Sequence, residues 1–381
     1  MTKRVIEASH AIALAAKLCR PEVIPVYPIT PQTHVAEEFA NIVNNGELKA
    51  EMIDVESEHS AASAIVGAVA VGSRCFTATS SQGLALMFEI LPIISGMRLP
   101  CVMAVANRAL SAPINIWNDH SDAVSCRDQG WIQLYVESAQ EALDTVIQGY
   151  KISEDKNVML PLMVNFDGFT LSHVFEQVDI PEQRQVDSFL PKFRPLFRLD
   201  VSNPMTFGPI AFPDTFMLFK QQQQQAMENA VDVIKKANAD FKKAFGRSYG
   251  DGLLELYKMD DARHAVIGMG TLCGTAKVAV DSLRQQGKKV GLIKVRSLRP
   301  FPEKELQHAM QNLESAAVID RHISLGQKGP LCTDIRSAVY CNDIQILGYI
   351  AGLGGRDITL KHFEKIFNEL AAGKQRGEWL F

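Results

Sequence analysis

Short apolar runs alternate with helix-length segments along most of the chain, and this alternation restricts the possible folds more than any other feature. Residues 23–27, 52–55, 74–79, 101–106 and 158–165 read as buried strands. Helical stretches at 34–42, 57–71, 83–94 and 139–153 fall between them. Four to eight apolar residues per strand, separated by helices, predict parallel strands with crossover helices. The stretch 57–71 is almost wholly Ala, Val, Ile and Gly, so it is expected to be a helix buried between layers. Residues 262–381 repeat the alternation: strands at 265–269, 290–295, 317–320 and 344–348, helices at 275–286, 302–312, 334–340 and 359–372.

Between these halves the character changes. Residues 180–214 carry six of the 17 prolines and read as irregular chain lying across a surface. A long helix is expected from 214 to 246, with Asp214 as N-cap signal and Gly246 as stop. Met227, Ala230, Val231, Ile234, Ala237, Phe241 and Phe245 form its apolar stripe, and the glutamines at 221–225 its polar part. The expected domains are therefore 1–250, including the Pro-rich segment and long helix, and 260–381.

Charge and cysteine content narrow the function. Lys+Arg is 39 and Asp+Glu 43, so the chain has no basic excess to neutralise nucleic-acid phosphates. Seven cysteines are scattered without a C-x-x-C pair, which suggests free, buried thiols in a reducing compartment and no iron–sulfur cluster on this chain. The longest uncharged apolar stretch, 61–72, is shorter than the ~20 residues of a membrane span. A soluble, cytoplasmic protein is expected.

Several motifs invite misreading. Gly268-x-Gly270-x-x-x-Gly274 resembles a dinucleotide fingerprint, but the spacing is off by one and the next strand ends in Lys294 and Arg296 where an acid is wanted. Gly250-Asp251-Gly252 lacks the later Asn of a metal–diphosphate motif and reads as a turn. Asn118-Asp119-His120-x-Asp122 lacks metal-ligand spacing and reads as capping residues. No metal site is assigned to this chain.

Ligands of open parallel sheets bind at the carboxyl ends of the strands. Three such ends carry polar residues: Tyr27-Pro28-Ile29-Thr30-Pro31, Glu56-Ser57-Glu58-His59-Ser60 and Asn107-Arg108-Ala109-Leu110. Each has an ordinary structural reading as well. Glu58 suits a helix first turn, Thr30 lies in a proline-bounded turn, and Arg108 could serve a surface ion pair.

Together with Thr79-Ser80-Ser81-Gln82-Gly83, Asn118–Asp122, Phe166-Asp167-Gly168-Phe169, Gly291–Arg296 with Arg299-Pro300-Phe301, and Gly352–Asp357, these segments span nearly the whole chain. On them the chain resembles the alpha subunits of 2-oxoacid:ferredoxin oxidoreductases, most closely the pyruvate type. The resemblance implies an α/β fold: a pyrimidine-binding domain of thiamine diphosphate enzymes, a parallel sheet with helices on both faces, followed by a transketolase C-terminal-like domain. It implies conversion of a 2-oxoacid, CoA and oxidised ferredoxin to acyl-CoA, CO2 and reduced ferredoxin, or the CO2-fixing reverse.

By the same resemblance, Glu58 matches the glutamate that hydrogen-bonds the aminopyrimidine N1′ and so promotes loss of the thiazolium C2 proton. Thr30 and Arg108 match contacts to the substrate carboxylate, and Gln82 lines the pocket. The resemblance implies that the beta, gamma and delta parts are separate chains. Beta shares the cofactor, and partner subunits hold Mg2+ and the [4Fe–4S] clusters. Pyruvate is the favoured substrate, with branched-chain 2-oxoacids next. A non-catalytic scaffold of the same complex and a beta-type chain of an NAD-linked 2-oxoacid dehydrogenase are the other readings.

Overall fold

The computed structural model describes residues 2–340 and 344–381. Its first sheet has the strand order Ser297–Arg299, Ile132–Tyr135, Leu162–Asp167, Val102–Asn107, Phe76–Thr79. The last four are mutually parallel, and Ser297–Arg299 runs antiparallel on the edge. A parallel pair, Val23–Val26 with Glu51–Asp54, continues this sheet through a bridge between Val23 and Cys75. The strands predicted at 23–27, 52–55, 74–79 and 101–106 are all present within a few residues. The one predicted at 158–165 begins only at Leu162.

Helix Ala8–Cys19 packs on helix Ala139–Ser153 behind the sheet, where Ala11, Ala15 and Ala16 are wholly buried. Small side chains allow this close approach. An antiparallel ribbon, Thr2–Glu7 with Phe175–Ile180, flanks this layer.

Helix Glu58–Ala70 departs from expectation. Ala61, Ala62, Ile65 and Val69 are buried, but Ser63 and Gly67 are exposed. A Cβ on Gly67 would meet nothing within 4 Å. The helix is therefore covered on one face only, and its small-residue face is open. The helix expected at 83–94 is two helices, Ser81–Leu86 and Leu91–Gly96. Pro92 sits in the first turn of the second, where its missing N–H and fixed φ suit a helix start rather than a helix interior.

Chain 180–214 is not irregular throughout. Gln183–Phe189 is helical, with a capping box between Glu182 and Gln185. The long helix runs Pro213–Phe245 with Phe212, not Asp214, at the N-cap, and Asp214 lies in its first turn. Proline at the first helical position fixes that start. Gly246 ends the helix at φ 76, the left-handed conformation glycine tolerates. Ala226, Ala230, Ile234, Ala237, Phe241 and Phe245 are buried, while Phe216, Met217, Leu218 and Phe219 near the start are exposed.

The second sheet has the order Gln345–Ile350, Ser315–Asp320, His264–Gly268, Val290–Val295, Leu254–Tyr257, parallel except for the last. One apolar core runs from Ala61, Ile65 and Met103 to Ile267, Ile293 and Leu306, so the two sheets share packing. A buried ion cluster also crosses between them. Glu141 Oε2 lies 2.7 Å from Lys294 Nζ and Glu141 Oε1 2.5 Å from Arg296 Nε.

The glycine turn at 268–274 serves this junction. Thr271 N donates to Asp167 Oδ2 at 2.9 Å, and a Cβ on Gly270 (φ +69) would fall 2.9 Å from Asp167 Oδ1. Asp251 accepts from Leu253 N and Leu254 N at 2.8 Å, so Gly250-Asp251-Gly252 is a side-chain-stabilised turn. The six described cysteines are buried; Cys341 lies outside the described residues.

Candidate active site

Four parallel strands deliver their following turns to one rim: 27–31, 55–60, 80–83 and 108–110. Glu58 is the first residue of its helix and is 6% exposed. Ser57 caps that helix by accepting from Ser60 N, so the cap does not use the Glu58 carboxylate. Among the described residues the carboxylate has no hydrogen-bond partner. The facing turn brings Gly83 so close that a Cβ there would fall 2.5 Å from both Glu58 Oε1 and Thr79 Oγ1. The hydroxyls of Thr79 and Ser80 are buried and without a partner among the described residues.

A buried carboxylate beside two unused hydroxyls calls for an external group with both a donor and an acceptor. The aminopyrimidine ring of thiamine diphosphate offers both, ring nitrogens that accept and an amino group that donates. The residues present therefore fit that end of the cofactor.

Arg108 closes the other side. Its Nε donates to Asn115 O at 3.1 Å and its Nη1 to Thr30 O at 2.9 Å. These two bonds fix the guanidinium and leave hydrogens on Nη1 and Nη2 for a carboxylate. Thr30 is exposed on the 27–31 turn, and the bond from Arg108 to its carbonyl brings the two residues together. Gln82 is exposed at the rim, its side-chain amide 2.6 Å from Ser81 Oγ.

Sequence reasoning passed over one residue as a cap. Asp122, in the short helix Ser121–Ser125, is 1% exposed and accepts from both the 81 and 108 turns. Burial pushes its carboxyl up to about 6, against the pull of four hydrogen-bond donors. The only signal in the sequence was its place in the polar run 118–122. His120 of that run pairs with Asp167 at 2.8 Å, beside Arg321. Burial raises the Asp167 carboxyl's pKa, but Arg321 and His120 outweigh it and hold the group well below the usual carboxylate range. Among the described residues no His/Cys/Asp/Glu group is arranged to hold a metal.

Such a rim, on a sheet of this kind followed by a second α/β sheet, fits a thiamine diphosphate-binding chain. The family described as pyruvate flavodoxin/ferredoxin oxidoreductase, thiamine diphosphate-binding, matches residues 14–239, and pyruvate:ferredoxin oxidoreductase core domain II matches residues 262–363. The chain belongs to the pyruvate:ferredoxin oxidoreductase family.

It is 50% identical over 380 residues to pyruvate synthase subunit PorA of Methanothermobacter thermautotrophicus, covering 100% of this chain and 98% of that one. It is 45% identical over 379 residues to pyruvate synthase subunit PorA of Thermotoga maritima, covering 97% and 96%. Ketoisovalerate oxidoreductase subunit VorA of Pyrococcus horikoshii is 43% identical over 379 residues, covering 99% and 95%. Among solved structures, 2-oxoglutarate:ferredoxin oxidoreductase from Magnetococcus marinus, with 2-oxoglutarate, coenzyme A and succinyl-CoA bound, superposes with a TM-score of 0.75 at 19% identity. That match covers 97% of this chain and 65% of the other, and it concerns the fold.

Proposed function

We propose that this chain is the alpha subunit of a multi-subunit, thiamine diphosphate-dependent pyruvate:ferredoxin oxidoreductase. The complex converts pyruvate, CoA and oxidised ferredoxin to acetyl-CoA, CO2 and reduced ferredoxin, or runs the reverse, CO2-fixing reaction. The observation that carries this reading is the buried Glu58 carboxylate, partnerless among the described residues and facing the Thr79–Gly83 turn.

When bound, thiamine diphosphate supplies the carbon nucleophile and electron sink for decarboxylation. This chain's residues do the rest of what this half of the site requires. Glu58 holds a proton against the pyrimidine ring nitrogen. The free edge of Arg108 grips the 2-oxoacid carboxylate, and Thr30 adds a hydroxyl donor. Gln82 lines the rim, and the apolar wall of Ala61, Ala62 and Ile65 excludes water beneath Glu58.

The diphosphate, Mg2+, the [4Fe–4S] clusters and ferredoxin belong to the beta, gamma and delta partners, so the chain is inactive alone. Residues 1–250 act as the pyrimidine-binding unit and 260–381 as the transketolase C-terminal-like unit. None of the helices described is long and apolar enough to cross a membrane, and we place the complex in the cytoplasm. The kinship with a ketoisovalerate oxidoreductase subunit supports branched-chain 2-oxoacids as the second substrate class.

The test is ferredoxin reduction by the reconstituted complex, with pyruvate and 2-oxoisovalerate compared. Turnover that requires both pyruvate and CoA is expected, with the branched acid slower. A preference for the branched acid would reassign the substrate, and a requirement for a lipoyl acceptor in place of ferredoxin would reject the class.

The segment 191–212 supports assembly in this reading. Leu196, Phe197, Ile210 and Phe212 are exposed there, next to the exposed start of the long helix. So many exposed large apolar side chains in one stretch of chain suit a surface that a partner covers. Deleting residues 195–212 is expected to abolish co-purification with the partner chains while leaving the isolated chain folded. Normal co-purification would show that this surface does not serve assembly.

A further inference from the structure

The two halves of the proposed site come from different strand ends, yet both are fastened to one carboxylate. Asp122 Oδ2 accepts from Ser81 N and from Arg108 N, each at 3.0 Å. Asp122 Oδ1 accepts from Asn107 Nδ2 at 2.9 Å and from Ala123 N at 2.7 Å. The turns are also tied directly, because Ser81 Oγ donates to Ala109 O at 2.7 Å. Ser121, next to Asp122, accepts from Leu110 N at 2.9 Å.

Ser81 has φ +47, a left-handed conformation a side-chain-bearing residue adopts only when its surroundings hold it there. Its N–H bond to Asp122 is one of those restraints. A carboxylate suits this place because it is acceptor-only with two oxygens. Four converging donors would leave the amino group of an Asn facing other N–H groups.

We propose that Asp122 is a positioning residue that keeps the Arg108 turn and the Ser81–Gly83 turn in one register. Through it the grip on the substrate carboxylate and the wall of the pyrimidine site opposite Glu58 are set together. Asp122 touches neither substrate nor cofactor. It acts through Arg108, whose guanidinium direction follows from its backbone, and through Gly83, whose approach defines the space beside Glu58. This inference rests on the proposed function for the identity of the two ligands, but the coupling between the turns does not.

The test uses the reconstituted complex carrying Asp122→Asn, with three readouts. These are the KM for pyruvate, the KM for CoA, and the Kd of thiamine diphosphate for the cofactor-stripped complex, followed by tryptophan quenching. Asp122→Asn is expected to raise the pyruvate KM and the cofactor Kd together, each about tenfold, the scale of one lost charge-assisted hydrogen bond. The CoA KM should not move. Asn107→Ala removes one donor and leaves the carboxylate in place, so it should shift the same two constants in the same direction by a smaller factor.

A change in thermal stability with both constants unchanged would reduce Asp122 to a helix cap and overturn the proposal. So would a pyruvate KM that rises while the cofactor Kd stays fixed. If Asp122→Asn does not assemble, Asn107→Ala decides alone, and no shift in either constant rejects the coupling. Should the native complex show no pyruvate turnover, the functional reading fails while the cofactor Kd still reports on the coupling.

Discussion

Glu58→Gln in the assembled complex is expected to lower turnover by about 10²- to 10⁴-fold, the range of a lost acid–base group, with little change in the KM for pyruvate. Glutamine keeps the shape of the side chain and can hydrogen-bond, but it cannot give a proton to the ring nitrogen or take one from it. Glu58 is 6% exposed and has no partner among the described residues, so the substitution breaks no hydrogen bond described within the chain. Stability and assembly should therefore stay near the native values. Pyruvate-dependent ferredoxin reduction, measured beside size-exclusion profiles of native and variant complexes, separates the outcomes. Unchanged turnover in an intact complex would move the acid–base group to a partner chain and favour a scaffold role for this subunit.

Glu141→Leu is expected to produce the largest loss of stability, about 3–5 kcal/mol, because it leaves two buried cations without their shared carboxylate. Lys294 and Arg296 are each 1% exposed. Arg296 retains Gly252 O at 2.7 Å and Thr145 Oγ1 at 3.1 Å, and Lys294 retains Glu137 and Glu255 at 3.0 and 3.2 Å, but neither keeps its closest carboxylate.

Burial alone would raise the Glu141 carboxyl, yet Lys294 and Arg296 bring it down from 4.5 to about 2. A depressed carboxyl stabilises the fold above its unfolded pKa, and that stabilisation is lost as pH falls from about 4.5 towards about 2. Denaturant titrations of native and Glu141→Leu chains should therefore differ most near neutrality and converge in acid. A difference below about 1 kcal/mol at pH 7 would mean the cluster is no stronger than a surface ion pair.

Part of the candidate site was legible in local sequence. Glu58, Thr30 and Arg108 stand where polar residues interrupt apolar runs at strand ends, while Gln82 and the role of each residue came from the family resemblance; the structure brings the turns that carry all four to one rim. Asp122 was not legible as more than a cap. Its four donors come from positions 81, 107, 108 and 123, and only the fold brings the first three within reach. The same holds for Thr79 and Ser80, whose hydroxyls look like ordinary strand-end residues until their burial is known. The break between Leu86 and Leu91 was in principle readable from Pro92, but the apolar pattern across it hid the restart.

The alternation of apolar runs by itself pointed to two largely parallel α/β sheets, most of their strands and helices, and the carboxyl edge on which ligands would bind. That information is local, because the period of burial is set by backbone geometry within each segment. Only the tertiary structure decided which edges meet. Strand Ser297–Arg299 pairs with Ile132–Tyr135 across the junction, and Thr2–Glu7 finds Phe175–Ile180 at the far end of its sheet unit. It also decided that helix Glu58–Ala70 keeps one face open. Burial on a given side depends on whether a complementary surface arrives from elsewhere in the chain, and short-range periodicity does not specify that surface.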